Sequence, residues 1–231
     1  MEIMGSGILT SILHAISQSI LIPVIIILLI FVIFALISVG ALIAEYTSRK
    51  KFNIEESEEL IRSLYNLNNI DEMKDKINQS NIGEINKVAM IKLIDYSDFK
   101  SKTKRAFADK LIEEEELRMA KTVEKTDIVV RLGPTFGLMG TLIPMGPGLA
   151  ALGAGDIQTL AQAIIIAFDT TVTGLASSAV AYVISKLRKR WYEEDLSNLE
   201  VLINSTLEIL ENDQNNKDSW NSRNSGNIES S

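Results

Sequence analysis

Twenty-five consecutive residues, Ile20 to Ala44, carry no charge. At about 1.5 Å per residue a helix of that length exceeds a hydrocarbon core of about 30 Å, so the segment predicts a membrane span. A cleaved leader is the competing reading of an apolar block so near the start. Nothing basic precedes it, however, its apolar run is too long, and no small-x-small cleavage site follows. Pro23 falls in the first turn, where its missing N–H costs little.

A second apolar region lies between Arg131 and Lys186, an interval whose only charged residues are Asp156 and Asp169. Its middle is rich in helix interrupters, Gly146-Pro147-Gly148 and then Gly153-Ala154-Gly155-Asp156. This predicts a hairpin of two spans, one helix from about Ile128 to Ala151 and another from about Ile157 to Ser185. Basic residues flank one end of each span: Arg49, Lys50 and Lys51 after the first, Lys125 and Arg131 before the second, Lys186, Arg188, Lys189 and Arg190 after the third. Basic flanks stay on the cytoplasmic side, so the N-terminus is expected outside and the C-terminus inside. Trp191 and Tyr192 suit an interfacial position or ordinary helix packing.

The expected organisation is therefore an extracytoplasmic N-terminus (1–19), a first transmembrane helix (20–44), a cytoplasmic helical domain (45–127), the transmembrane hairpin (128–185), a cytoplasmic helix (186–211) and a disordered tail (212–231). Glu55 to Asn68 reads as a short helix, and Asn78-Gln79-Ser80-Asn81 with Gly83 as a turn. From Asn86 to Lys125 there is no Gly or Pro, and Phe107 and Leu111 stand four apart, which predicts one long helix running on into the second span. The run Glu113 to Glu116 reads as a solvated face, with a cation-gathering vestibule as the other possibility. Leu196, Leu199, Ile203, Thr206 and Leu210 recur at heptad-like steps, which predicts a helix continuing past the third span. Beyond Asn212 the composition turns to Asn, Ser and Asp.

Much chemistry is excluded. The chain has no cysteine, a single histidine (His14) and a formal charge of −7 from 30 acidic and 23 basic residues, which leaves no thiolate metal site, no catalytic triad and no basic nucleic-acid surface. Gly137-Leu138-Met139-Gly140-Thr141 has no lysine before the threonine and no strand before the glycines, so it is not a phosphate loop. An enzyme, a cofactor and a metal are all unsupported.

The hairpin carries the remaining signals. Gly133, Gly137 and Gly140 share one stripe of the second helix. Ala167, Thr171, Gly174, Ser178, Ala181 and Ser185 share one of the third. Small residues in register allow close helix packing. A single three-span chain offers too few partners to cover two such stripes, which argues for an oligomer. Asp169 falls near the bilayer centre, where a carboxylate costs about 2.5–3.5 kcal/mol on insertion scales, and no basic residue of this chain lies at that depth. It is either a proton or cation relay or a structural hydrogen-bonding group, for example to Thr173. Thr171 is about 200° around the helix from Asp169, so the two cannot line one narrow pore.

Gly137-Leu138-Met139-Gly140-Thr141 and Ala167-Phe168-Asp169-Thr170-Thr171-Val172-Thr173-Gly174-Leu175-Ala176 resemble the two signature spans of the MotA/TolQ/ExbB proton-channel family. The resemblance covers about Ile128 to Arg190 well and the rest through topology. It implies an all-α integral membrane protein of three transmembrane helices, long helices reaching into the cytoplasm, and an oligomeric bundle, a pentamer in this family. Its lumen would hold a small single-span partner of the ExbD/TolR/MotB type whose aspartate carries the proton. Thr141 and Thr171 match the family's pore-lining threonines. The chain departs from the pattern at Ile166, where ExbB and TolQ relatives carry a glutamate, at Val180, where they carry proline, and at Pro144, where they carry glycine. These departures bear on the proton path. The expected function is thus a channel-forming subunit of an ion-driven motor complex in the cytoplasmic (inner) membrane. A non-conducting oligomeric scaffold is the alternative.

Overall fold

In the computed structural model the described residues are 6–49, 54–67 and 69–228, with side chains described from 9 to 212. Six helices account for nearly all of them: α1 (Ser6–Ser48), α2 (Ile54–Tyr65), α3 (Ile70–Gln79), α4 (Glu84–Asp95), α5 (Ser101–Gly153) and α6 (Ile157–Ile228). No strand occurs among the described residues. Three helices, α1, α5 and α6, are long and apolar enough to cross a membrane. The chain divides into two compact units, one of residues 1–48 and 122–189, the other of 49–121 and 190–231.

The first unit is a bundle of α1 with the apolar parts of α5 and α6. Phe31 of α1 meets Phe136 of α5 edge-on, with ring centroids 5.9 Å apart, and packs with Val129 and Ala181 in a small apolar core. A ring edge against a ring face aligns the positive rim with the negative π cloud, a favourable arrangement for aromatic pairs. At the basic-flanked end Arg188 donates to Glu45 at 2.9 Å, tying α6 to α1, and Ser185 donates to Asp127, tying α6 to α5. Arg188 is buried and Glu45 half-buried. A guanidinium removed from water without such a partner would be expensive.

Three prolines, Pro134, Pro144 and Pro147, lie inside α5 without ending it. A helix-interior proline leaves the carbonyl four residues earlier without its N–H donor. In two cases a side chain from a neighbouring helix supplies the donor. Ser178 Oγ donates to Val130 O at 2.8 Å, the carbonyl orphaned by Pro134. Gln18 Nε2 donates to Ile143 O at 3.2 Å, the carbonyl orphaned by Pro147. Compensation of this kind is what lets proline persist in a membrane helix. The hairpin turns at Ala154–Asp156, where Gly155 adopts φ of 82°, a conformation open to glycine because it lacks Cβ. Asp156 then caps α6 through the Thr159 N–H and hydroxyl at 3.0 and 2.6 Å, and these donors hold its carboxyl below the usual range.

The second unit gathers α2, α3, α4 and the outer parts of α5 and α6 around one apolar core. Leu64, Ile77, Met90, Leu93, Ile94, Leu202 and Ile203 are fully buried there. The heptad positions read from the sequence face inward, with Leu199, Ile203, Thr206 and Leu210 buried and Leu196 half-buried. Lys104 is also fully buried, its ammonium donating to Leu210 O at 3.1 Å. Next to it Arg105 grips Glu211 with two bonds of 2.8 and 2.7 Å, and Ser101 donates to the same carboxylate. Arg49 donates to Asp195 at 2.6 Å and to Trp191 O at 3.1 Å, and stands over the Trp191 ring, which gives that tryptophan a packing role.

Several expectations need correction. The single helix from Asn86 to Lys125 is two, because the chain breaks between α4 and α5 at Tyr96–Lys100. No Gly or Pro marks that break. Tyr96 instead stacks on Phe107 at 4.1 Å between centroids, with Phe99 beside both, and this aromatic packing fixes the corner. A further helix, α3, follows Asn69, which caps it by accepting from the Asp71 N–H, and it takes in Asn78 and Gln79, so the turn expected over Asn78–Gly83 begins only at Ser80. The backbone of α1 is helical from Ser6, well before Ile20, so Pro23 lies inside the helix and not in its first turn. That of α6 continues to Ile228, where a disordered tail was expected from Asn212, since adding residues to a formed helix costs little. The side chains of that stretch, and residues 229–231, lie outside the described residues.

Candidate functional site

The faces of α5 and α6 meet where side chains are smallest. A Cβ built on Gly133 would stand 2.8 Å from Gly174 O, and one on Gly174 would stand 2.5 Å from Gly133 O. Gly137 faces Thr170 O and the Cα of Gly174, and Gly140 faces the side chain of Thr170. Near the turn Gly148 lies against Ala163. Backbone against backbone at this distance requires missing side chains on both helices. The two stripes therefore cover each other inside one chain. The inference that they demand sister subunits falls, because the hairpin itself is the partner that the sequence argument lacked.

The buried line of α6 runs through Ala163, Ala167, Thr170, Gly174, Ser177, Ser178, Ala181, Ile184 and Ser185. Thr170, not Thr171, is its hydroxylated member at the crossing, and its hydroxyl lies between Ile166 O at 2.9 Å and Ala167 O at 3.0 Å. Sequence reasoning passed over Thr170. The seven-residue step Ala163–Thr170–Ser177–Ile184 was the signal that could have found it.

Thr171 and Thr141 stand beside this contact line, each half-buried. Thr171 donates to Ala167 O at 2.9 Å, and Thr141 donates to Leu138 O at 2.7 Å. Both hydroxyl protons are thus committed to their own helices. What each threonine presents outward is oxygen lone pairs, able to accept from water or from a protonated carboxyl. The two sit at similar depth, because Gly140 and Thr170, their immediate chain neighbours, touch.

Helix phase places both on one side. On α5, α1 is met at Phe136 and Ile143, whereas Thr141 lies about 140° around from Phe136 at roughly 100° per residue. On α6, Ala181 and Arg188 turn toward α1, and Thr171 lies beyond the Gly174–Ser178 line from them. Thr141 and Thr171 accordingly occupy the side of the hairpin turned away from α1. Asp169 occupies the other. It is exposed in the single chain, and no hydrogen bond or ion pair reaches its carboxylate among the described residues, Thr173 included.

Much of the hairpin's remaining outer surface is apolar, with Leu138, Leu142, Phe168, Val172 and Leu175 all more than half exposed. Among the described residues no group of three or more His, Asp or Glu side chains comes together to hold a metal. His14 is exposed on α1.

A direct comparison of the sequence with curated proteins finds no match. A family model does match. Residues 69–201 fit that of the MotA/TolQ/ExbB proton channel family, a stretch that takes in α3, α4, all of α5 and α6 as far as the first turns of the second unit. With more than half of the chain inside the match, and with three membrane-length helices and no strand among the described residues, this all-helical membrane protein belongs to the MotA/TolQ/ExbB proton channel family.

Proposed function

We propose that the chain is the channel-forming subunit of a proton-driven complex in the cytoplasmic membrane, with its N-terminus outside. In this reading copies of the chain assemble into a ring, a pentamer by family resemblance. They enclose a single-span partner of the ExbD/TolR/MotB type bearing an intramembrane aspartate. Ion flow past that aspartate drives movement that does work across the envelope.

One observation supports this above the rest. Thr141 and Thr171 stand at one depth on the same side of the hairpin, away from α1, with their lone pairs outward. A ring built with that side inward would line an axial passage with paired hydroxyl acceptors, suited to a carboxylic acid that must be held while protonated and released when it ionises. The glycine and serine packing behind them holds the two helices rigid. Leu138 and Leu142 flank the threonines and would keep water out except at the acceptors.

The test is co-expression with a small one-span membrane protein containing an aspartate, followed by purification and counting of subunits. A ring with an occupied axis, and loss of ion-coupled activity in Thr171→Val, supports the reading. Normal activity in Thr171→Val removes the lumen assignment, whereas absence of any such small partner favours the non-conducting scaffold.

A further inference from the structure

Asp169 does not belong to the threonine side, and its surroundings give it a separate role. Taking its direction as zero, Gln158, Gln162 and Thr173 all fall within about 40° of it on α6. Gln158, Gln162 and Asp169 are exposed, and Thr173 is half-buried. The rise of about 1.5 Å per residue sets Gln162 about 10 Å and Gln158 about 16 Å from Asp169 toward the hairpin turn, which is half the hydrocarbon thickness. In the other direction the same line carries Ala176 and Val180. The polar line therefore starts at the turn-side edge of the membrane, reaches the middle and stops.

Two primary amides and a carboxylate facing acyl chains would each lack hydrogen-bonding partners. Neither α1 nor α5 covers them, and a partner on the threonine side would not reach them. A neighbouring copy of the same chain can supply the second wall.

We propose that Gln158, Gln162, Asp169 and Thr173 line a one-sided water-filled access path at the seam between adjacent copies, through which protons from the hairpin-turn side reach Asp169. The ligand is a proton rather than a coordinated metal cation. Gln162 is too far from Asp169 to share a cation of ordinary oxygen-ligand distance, and the only other acid between Arg131 and Lys186 is Asp156, thirteen residues away at the turn. The inference deepens the proposed function, since it rests on the assembly of copies into a ring. It adds a titratable site at the seam, distinct from the axial threonines.

The chain has no cysteine, so single cysteines can be introduced into the full-length protein in its native membrane without a background. Gln158→Cys, Gln162→Cys and Asp169→Cys are compared with Phe168→Cys, which is exposed on another face at the same depth, and with Ala176→Cys and Val180→Cys. The probes are a membrane-impermeant cationic methanethiosulfonate and silver ion, each added from the turn side. Because the thiolate is the reactive form and needs water, the first three should react about tenfold or more faster than the others. In the unaltered chain a hydrophobic carbodiimide, which attacks protonated carboxyls, should label Asp169 faster as the external pH falls. Reaction at Gln162→Cys no faster than at Phe168→Cys with either probe, or labelling of Asp169 indifferent to external pH, overturns the access path. If subunit counting still gives a ring, the channel reading survives that failure. If only single protomers are found, both fall.

Discussion

Ser178 on α6 donates its hydroxyl to the carbonyl of Val130 on α5 at 2.8 Å, and Val130 is the residue whose helical donor Pro134 removes. The proline that would weaken one helix thus creates the acceptor that joins it to the next. Ser178→Ala should destabilise the hairpin by about 1–3 kcal/mol, the cost of leaving a buried carbonyl unpaired. Pro134→Ala restores an N–H to that carbonyl, so the same Ser178→Ala change should cost much less in its presence. A double-mutant cycle on the melting temperature of the detergent-solubilised protein measures the coupling. Additive losses would show that the two residues act independently.

Gly140 and Thr170 make an equally specific pair. A Cβ on Gly140 would stand 2.5 Å from Thr170 Cβ and 2.6 Å from its Oγ1. Gly140→Ala should therefore destabilise by about 1–3 kcal/mol despite the better helix propensity of alanine. Thr170→Ala keeps the nearest atom and should relieve little of this, whereas Thr170→Gly removes it and should restore most of the packing. Thermal melting of the three variants decides the order.

The axial role proposed for Thr141 and Thr171 is tested by geometry as well as by loss. Thr141→Ser and Thr171→Ser keep an oxygen at the same place and should retain most ion-coupled activity in the presence of the partner. The valine variants keep the shape and lose the acceptor. They should fall about tenfold or more, equivalent to about 1.4 kcal/mol on the limiting barrier. The measurement is proton uptake into vesicles or the driven output, with melting temperature as the control. Equal behaviour of serine and valine variants would mean that the hydroxyls play no part.

What the sequence made legible follows from how the membrane restricts a chain. An uncharged run such as Ile20–Ala44 has one solution in lipid, and the turn residues Gly153–Asp156 between two apolar stretches leave little choice but a hairpin. Gly133, Gly137, Gly140 and Gly174 could be placed on helix stripes, because a period of 3.6 residues follows from backbone geometry alone. Which stripe meets which could not be read. With Asp169, Thr170 and Thr171 consecutive, a rotation of 100° exchanges their environments, and the packing of Gly140 against Thr170 is what fixes it. The corner at Tyr96–Lys100 was hidden for a related reason, since every residue in it tolerates a helix and the bend is held by the stacking of Tyr96 on Phe107. The partners of the orphaned carbonyls, Ser178 and Gln18, are likewise long-range and leave no local trace.

Acid should loosen the second unit at a definite place. Arg105, with help from Ser101, holds the Glu211 carboxyl down to about 2 from an ordinary value of 4.5. A carboxyl whose folded value is depressed contributes stability above its unfolded value, and that contribution is lost as pH falls from about 4.5 through about 2. At neutral pH the unaltered chain should melt above Glu211→Gln, and the gap should shrink through that acid window and close at its lower end. Lys104, buried beside the pair with its ammonium on Leu210 O, adds a smaller attraction that also lowers the Glu211 carboxyl, and Glu211→Gln removes that attraction together with the Arg105 contact. Arg105→Gln should reproduce the loss at neutral pH, because the same bidentate contact is removed from its other end. Melting curves of the three proteins from pH 7 down to pH 2 provide the comparison. A gap between the unaltered chain and Glu211→Gln that persists unchanged across the acid range would assign the stabilisation to packing of the glutamate stem instead of to its charge.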